Sequence, residues 1–204
     1  MDPLKVLEAT AQHYRSILIY RDHGRVTVRN GEATAPVDER FFLTEFRRPT
    51  PFRFELRYRH HVGSRMRTFV INDAPGDTRI DWNVDRPYRQ PNSLSSALAI
   101  ATGISYGAAS AVPGLLMTDV LGGSRVTDLR EARYLGDDLL DSIVCHRISG
   151  QALRADGGQS GRAMILWIER NSFLIRQIEW TIGFGSASVR TAINYDPKVD
   201  SLSN

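Results

Sequence analysis

The sequence has one cysteine, Cys145, so an internal disulfide framework is excluded. Lysine occurs only at Lys5 and Lys198, so nearly all of the 26 cationic side chains are arginine. Arginine forms planar, fixed pairs with carboxylates and phosphates, and its stem lies on apolar surface. No P-loop and no dinucleotide fingerprint occurs. No apolar run of signal-peptide type is visible, because Met1-Asp-Pro leads straight into an amphipathic segment. The chain is therefore either cytoplasmic or has lost a leader. The most informative absence is local. Gln90 to Thr118 contains no Asp, Glu, Lys, Arg or His, in a chain that is 24% charged.

That uncharged stretch is long enough to cross a bilayer, which takes roughly 20 residues. Thr102, Gly103, Ser105, Gly107, Ser110, Pro113 and Gly114 dilute it too heavily for a span. It reads instead as short helices broken near Pro113-Gly114, because proline ends a helix before itself.

The 204 residues, 42% of them hydrophobic, suit one domain with a sizeable core. A formal net charge of +3 and a pI near 9.2 are compatible with anionic partners but demonstrate none. Asp2-Pro3 reads as an N-cap followed by proline at the first helical position, and Leu4, Leu7, Ala11, Tyr14 and Ile17 then recur at helical spacing. From Ile19 the period changes to two. Strands are expected at Tyr20–Arg29, Arg40–Arg48, Phe52–Arg59, Arg65–Asn72 and Arg79–Asp85. The third alternates cleanly, with Phe52, Phe54, Leu56 and Tyr58 on one face and Arg53, Glu55, Arg57 and Arg59 on the other. After the insert, strand character resumes near Ser124–Leu135. Gly136-Asp137-Asp138 reads as a turn, and Ser142–Leu153, Arg162–Arg170, Phe173–Gly183 and Ser188–Tyr195 follow as a meander. Residues 1–18 thus form a helix, 19–86 a first strand run, 92–121 a helical insert and 124–196 a second strand run. Short connections make the sheet antiparallel, and one apolar face per strand requires a cover. The N-terminal helix and the insert are the elements available to provide it. The expected class is α+β.

Several residues carry a resemblance. They are Tyr20-Arg-Asp22-His-Gly24, Phe42-Leu-Thr44-Glu-Phe46-Arg-Arg-Pro49 and Phe52-Arg53-Phe54-Glu55, then Cys145-His-Arg-Ile148-Ser-Gly150, Trp167-Ile168-Glu169 and Phe173-Leu174-Ile175-Arg176. With the order of elements, they resemble the LolA/LolB/LppX-like family of periplasmic lipoprotein and lipid carriers, and most nearly LolA-like domains of bacterial envelope proteins. The resemblance implies a half-open antiparallel β-barrel of about 9–11 strands with helices across its mouth. It also implies a cavity for acyl chains and a periplasmic or envelope location. The expected activity is non-catalytic binding or carriage of a lipid, a lipoprotein acyl chain or another hydrophobic ligand, with no cofactor. The alternative is an envelope interaction or scaffold domain with a filled core.

An acyl ligand needs a dry concave surface, where each buried methylene contributes about 0.8 kcal/mol. Candidate wall residues are Phe42, Phe46, Phe54, Leu56, Tyr58, Trp82, Trp167 and Trp180. Candidate lid residues are Leu98, Ile104, Tyr106, Leu115, Leu116 and Met117. Each is equally readable as ordinary core, because apolar alternation reports burial first.

Gly103-Ile-Ser105-Tyr-Gly107 matches a nucleophile elbow with His146 downstream, a distant serine-esterase alternative. Its context is wrong, since the motif needs a strand before the serine and this stretch reads as helix. Asp81-Trp-Asn83-Val-Asp85 lacks the sixth-position glycine and twelfth-position acid of a calcium loop. His60-His61 would diverge if extended and makes a weak metal site. The arginines from Arg47 to Arg67 would form a basic face opposite the apolar one, readable as a surface for anionic headgroups or a protein partner, or as a solvated face paired with Glu45 and Glu55. Nucleic acid is disfavoured because the aromatics alternate to the other side. Cys145 reads as a buried small hydrophobe.

Overall fold

A computed structural model describes residues 1–31, 37–59, 63–84, 88–122, 125–153, 159–184 and 187–200. Helix α1 (Pro3–Ser16) begins as its sequence demands: Asp2 caps it, with Oδ1 accepting from the Leu4 amide at 3.0 Å. Five strands follow, β1 (Ile19–Asn30), β2 (Asp38–Arg47), β3 (Phe52–Tyr58), β4 (Arg67–Ala74) and β5 (Asp77–Trp82). The insert comes next as α2 (Leu94–Ile104), α3 (Ala108–Ala111), α4 (Pro113–Leu116) and α5 (Thr118–Leu121). The chain then returns to strand through β6 (Leu129–Leu140), β7 (Ile143–Leu153), β8 (Gln159–Glu169), β9 (Ile175–Phe184) and β10 (Ala187–Asp200).

All ten strands join one antiparallel sheet in the order β5-β4-β3-β2-β1-β10-β9-β8-β7-β6. Its two halves meet where β1 pairs with β10, Gly24 opposite Tyr195 and Val26 opposite Ile193. β5 and β6 are the edge strands and do not pair with each other, so the sheet forms an open barrel. Residues alternate between an inner face that meets the helices and an outer face. Tyr20, Val26, Phe42, Phe46, Phe54, Leu56, Phe69, Ile71, Leu166, Ile178 and Ile193 are all buried inside.

The helices divide the inner face between them. α2 lies against β4 and β5, burying Leu94, Ala97, Leu98 and Ala101 at the i, i+3, i+4, i+7 spacing of a single stripe. α1 lies against β6 and α4. Leu7, Ala11, Tyr14 and Ile17 of the stripe the sequence suggests are buried, with Val6 and Thr10 beside them. Leu4 is 61% exposed, and Val6 takes its place in the core. Tyr14 ties α1 to the second half of the sheet, its hydroxyl accepting from the Ile175 amide at 3.1 Å.

Three local expectations need correction. The insert breaks three times: between α2 and α3, where Tyr106 (φ 50°) and Gly107 (φ 93°) turn left-handed, at Pro113, and at Met117 between α4 and α5. Gly136-Asp137-Asp138 is not a turn but lies within β6, beside a register shift between Tyr134 and Gly136. A glycine with positive φ (105° here) serves a bulge as well as a turn. The reversal comes at Asp141 (φ 48°) and Ser142 (φ 71°), two left-handed positions that suit a tight hairpin. The third correction concerns Trp167. It lies opposite Gln177 on the outer face, donating from Nε1 to Glu179 Oε1 at 2.9 Å, with the Arg147 guanidinium 4.7 Å from its ring centroid.

Candidate ligand-binding cleft

The first half of the inner face is filled. Phe42, Phe46, Phe54, Leu56 and Tyr58 are buried, Phe42 stacking on Phe54 at 6.0 Å and meeting Tyr195 edge-on at 5.4 Å. Trp82 closes the β5 end, edge-on to Phe69 at 5.4 Å and donating from Nε1 to the Tyr58 hydroxyl at 3.1 Å. Leu98 comes from α2, which lies against β4 and β5, and is buried; Leu115, Leu116 and Met117 are buried in the same core, and Ile104 and Tyr106 are half-buried beside it.

Two arginines clip the insert down. Arg40 donates to the Ile104 carbonyl at the end of α2 and to Asp38 Oδ2 at 2.7 Å, and its guanidinium lies 4.2 Å from the centroid of Tyr106. Tyr106 in turn donates to Asp38 at 3.0 Å. Arg48 donates to the Leu116 carbonyl, ending α4, at 2.8 Å and to the Ile17 carbonyl, ending α1, at 3.2 Å. Terminal carbonyls lack helical partners and carry the negative end of the helix dipole, so a guanidinium satisfies both needs.

The second half of the inner face is left partly open. A cleft of about 470 Å³ runs between the end of α1, helices α3–α5 and strands β7–β9. Its apolar lining includes Trp180 and Met164, only 5% and 6% exposed, with Leu121 and Val126 half-buried around them. Gly107 opens the space. A Cβ there would lie 3.0 Å from Trp180 Cη2. Three arginines line the same cleft, Arg15 from α1, Arg125 from the segment after α5 and Arg162 from β8, and Asp128 is the one acid among the described lining residues. Arg125 holds Asp128, donating from Nη2 to Oδ1 at 3.0 Å and from its amide to Oδ2 at 2.8 Å. The Arg162 guanidinium lies 5.1 Å from the centroid of Trp180, and burial lowers its pKa. A second cleft of about 450 Å³ adjoins this one along α1, sharing Arg15, Arg125 and Asp128.

Of the residues singled out from the sequence, Trp180 alone lines the main cleft. Phe42, Phe46, Phe54, Leu56 and Tyr58 are buried in the filled half of the inner face and Trp82 is half-buried at its β5 end, while Trp167 faces away. Met164, Leu121, Val126 and the three cleft arginines were not singled out. Met164 did stand in an alternating strand beside Leu166, a signal that could have included it; nothing local marks Arg15, Arg125 and Arg162 as neighbours.

The other constellations resolve as structure. Ser105 is fully buried at the end of α2, with Oγ accepting from the Ala109 amide at 3.0 Å. His146 Nδ1 instead meets Asp137 Oδ1 at 2.6 Å, and helix precedes the serine, so the elbow context is missing. The outer arginines form a ladder of alternating sign. Arg53 and Arg57 flank Glu55 at 2.6 and 2.7 Å, and Arg21 reaches Glu45 at 3.5 Å. These contacts hold the Glu55 carboxyl low despite the opposing effect of burial. Cys145 is buried, its thiol pushed up to about 11 chiefly by that burial. His60-His61 and Asp85 lie outside the described residues.

No family model and no curated protein matches this chain in sequence. Solved structures do match. The crystal structure of the Mycobacterium tuberculosis lipoprotein LppX superposes with a TM-score of 0.51 at 14% identity, covering 99% of this chain and 97% of that one. LprF from Mycobacterium bovis gives 0.51 at 12% identity, covering 95% and 91%. The fold is LolA/LppX-like. Coverage of nearly the whole of each chain extends the likeness across both halves of the open sheet and the helices that cover it. Among the described residues, no helix of this LolA/LppX-like chain is long and apolar enough to cross a membrane.

Proposed function

We propose that this LolA/LppX-like protein binds an apolar ligand, a lipid or acyl chain, without transforming it, and that it works in the cell envelope. The observation that carries the reading is the cleft of about 470 Å³ floored by Trp180 and Met164. Its size falls within the roughly 300–1,000 Å³ usual for small-molecule sites. Its floor is apolar and nearly free of solvent, which suits methylenes. The cleft is the site of first contact in this reading. The aromatic surface from Phe42 to Trp82 is a deeper extension, reached if the insert residues Leu98, Ile104, Tyr106, Leu115, Leu116 and Met117 lift from it.

Native mass spectrometry of the purified protein, with organic extraction of what co-purifies, tests the reading. A retained lipid that is lost in Trp180→Asp, in a variant that keeps its far-ultraviolet spectrum, is the expected result. A mass that stays bare after incubation with fatty acids, phospholipids and lipopeptides sinks it.

One observation favours a second reading, an interaction domain. The edge strand β6 exposes Leu139 (64%) and Leu135 (45%) along an edge that pairs with no further strand among the described residues. A bare mass in every lipid trial would shift the assignment to that edge and a protein partner.

A further inference from the structure

We infer that β6 pairs with β6 of a second copy of this chain, antiparallel and about a two-fold axis, setting Arg133 of each copy opposite Asp138 of the other. This names a partner for the edge noted above, and it holds whether or not the cleft binds a lipid.

The two edges of the open sheet differ. The β5 edge is blocked by side chains of the segment that follows it. Gln90 Oε1 accepts from the Ile80 amide at 3.0 Å, and Gln90 Nε2 donates to the Ile80 carbonyl at 2.9 Å. The Tyr88 hydroxyl donates to the same carbonyl at 2.6 Å and accepts from the Trp82 amide at 3.1 Å. A docking strand would need those backbone groups, so β5 is closed to one. On β6, among the described residues, the side-chain bond to the strand's backbone is a local one, from the Leu139 amide to Asp138 Oδ1 at 2.9 Å. It is exposed and joins neighbours in sequence, so the carbonyl of a docking strand can replace it. Arg133, Leu135, Asp138 and Leu139 are all exposed along this edge.

A two-fold interface must complement itself, and β6 does. Its pairing with β7 shows which side chains share a face. Arg133 lies opposite Ser149 and Asp138 opposite Cys145; Tyr134 lies opposite Ile148 and Asp137 opposite His146. Alternation along β7 therefore puts Arg133 and Asp138 on one face, and Tyr134 and Asp137 on the other. Five residues separate Arg133 from Asp138, so in a regular strand they would point to opposite faces. The register shift between Tyr134 and Gly136 brings them to the same one. A two-fold pairing that sets Arg133 against Asp138 also sets Tyr134 against Asp137, with both pairs matched in face. The shift falls on the axis, so each copy brings the same irregularity to the same place. Asp138 already accepts from Arg147 Nη1 at 3.0 Å, and its carboxylate has lone pairs for a second guanidinium. One strand pair covers little area, which puts the dimer in the weak, reversible class.

Sedimentation equilibrium of the full chain, stripped of lipid, over a concentration series tests this. A monomer–dimer equilibrium is expected. Arg133→Asp and Asp138→Arg should each weaken it about tenfold, because each sets like charges opposite one another twice per dimer. Both positions are exposed, and an unchanged urea midpoint shows that the fold is intact. Mixed in equal amounts, the two variants should associate again, since each offers the charge that the other lacks. A monomer at every concentration overturns the inference and leaves the edge to a different chain. A dimer indifferent to both substitutions overturns it by placing the contact elsewhere, and so does a mixture that stays monomeric. Lipid retained by Arg133→Asp in native mass spectrometry is read separately, so failure of the pairing leaves the cleft standing.

Discussion

Gly24 lies directly beneath the ring of Phe42. A Cβ built on Gly24 would stand 2.0 Å from Phe42 Cζ, and the two residues are register partners in β1 and β2. The ring cannot withdraw easily, because Phe54 stacks on it and Tyr195 meets it edge-on. Gly24→Ala should therefore overpack the core and cost about 1–3 kcal/mol. A urea denaturation curve with a lowered midpoint and an unchanged slope would show it. A midpoint equal to that of the unsubstituted protein would mean that this half of the barrel has slack.

The arginine clips make a separate prediction about local order. Arg40→Ala leaves the Ile104 carbonyl and Asp38 without their guanidinium and removes the support under Tyr106. Losing a buried charged hydrogen bond costs about 1–3 kcal/mol. Hydrogen exchange should accelerate in α2 and at the α2–α3 break before it changes in β7–β9. Uniform acceleration across the sheet would contradict a local clip.

Asp22 predicts a pH dependence. It is 1% exposed, and burial pushes its carboxyl up to about 7, against the pull of bonds from the Tyr20 hydroxyl at 2.8 Å and the Thr44 amide at 3.0 Å. The folded protein thus holds a proton that the unfolded chain releases near the ordinary value of 3.8. Stability from this group is complete below that value and is lost as pH rises through about 7. The stability of the unsubstituted protein minus that of Asp22→Asn should fall between about pH 4 and about pH 8, then level off. A difference that stays constant across that range would show that the carboxyl titrates normally.

The two tryptophans of β8 and β9 should part company. Trp180 lines the cleft, while Trp167 is bonded to Glu179 on the other face. Trp167→Phe should lower thermal stability by about 1 kcal/mol through the lost hydrogen bond, with co-purifying lipid retained. Trp180→Ala should lose the lipid. Loss of lipid in Trp167→Phe would place the ligand outside the cleft.

Much of the architecture was legible because period-two alternation is a local property. Phe52, Phe54, Leu56 and Tyr58 announce both a strand and its buried face, and Asp2-Pro3 announces a helix start. The uncharged insert was equally plain, since its burial forbids charge. The hairpin at Asp141-Ser142 was missed because Gly136 carries the same glycine signal as a turn, and only strand pairing distinguishes the two. Trp167 and Trp180 both read as apolar wall from the sequence. Yet a bulge between Trp167 and Ile168 and the pairing of Trp180 with Met164 set their faces, and these depend on a neighbouring strand.

The sequence by itself determined an antiparallel sheet with one apolar face, a helix at its start and an apolar cover inserted between its halves. These follow from side-chain periodicity and from the cost of burying charge. Tertiary structure decided how far the cover reaches. α2 packs against β4 and β5, while the shorter α3–α5 leave space over Trp180. It also decided which arginines meet. Arg15, Arg125 and Arg162 lie far apart in the chain and meet only because α1, the end of the insert and β8 converge, whereas the conspicuous run from Arg47 to Arg67 includes arginines that face Glu55 across the outer sheet. Charge along a chain is additive, but a site depends on which distant residues folding brings together.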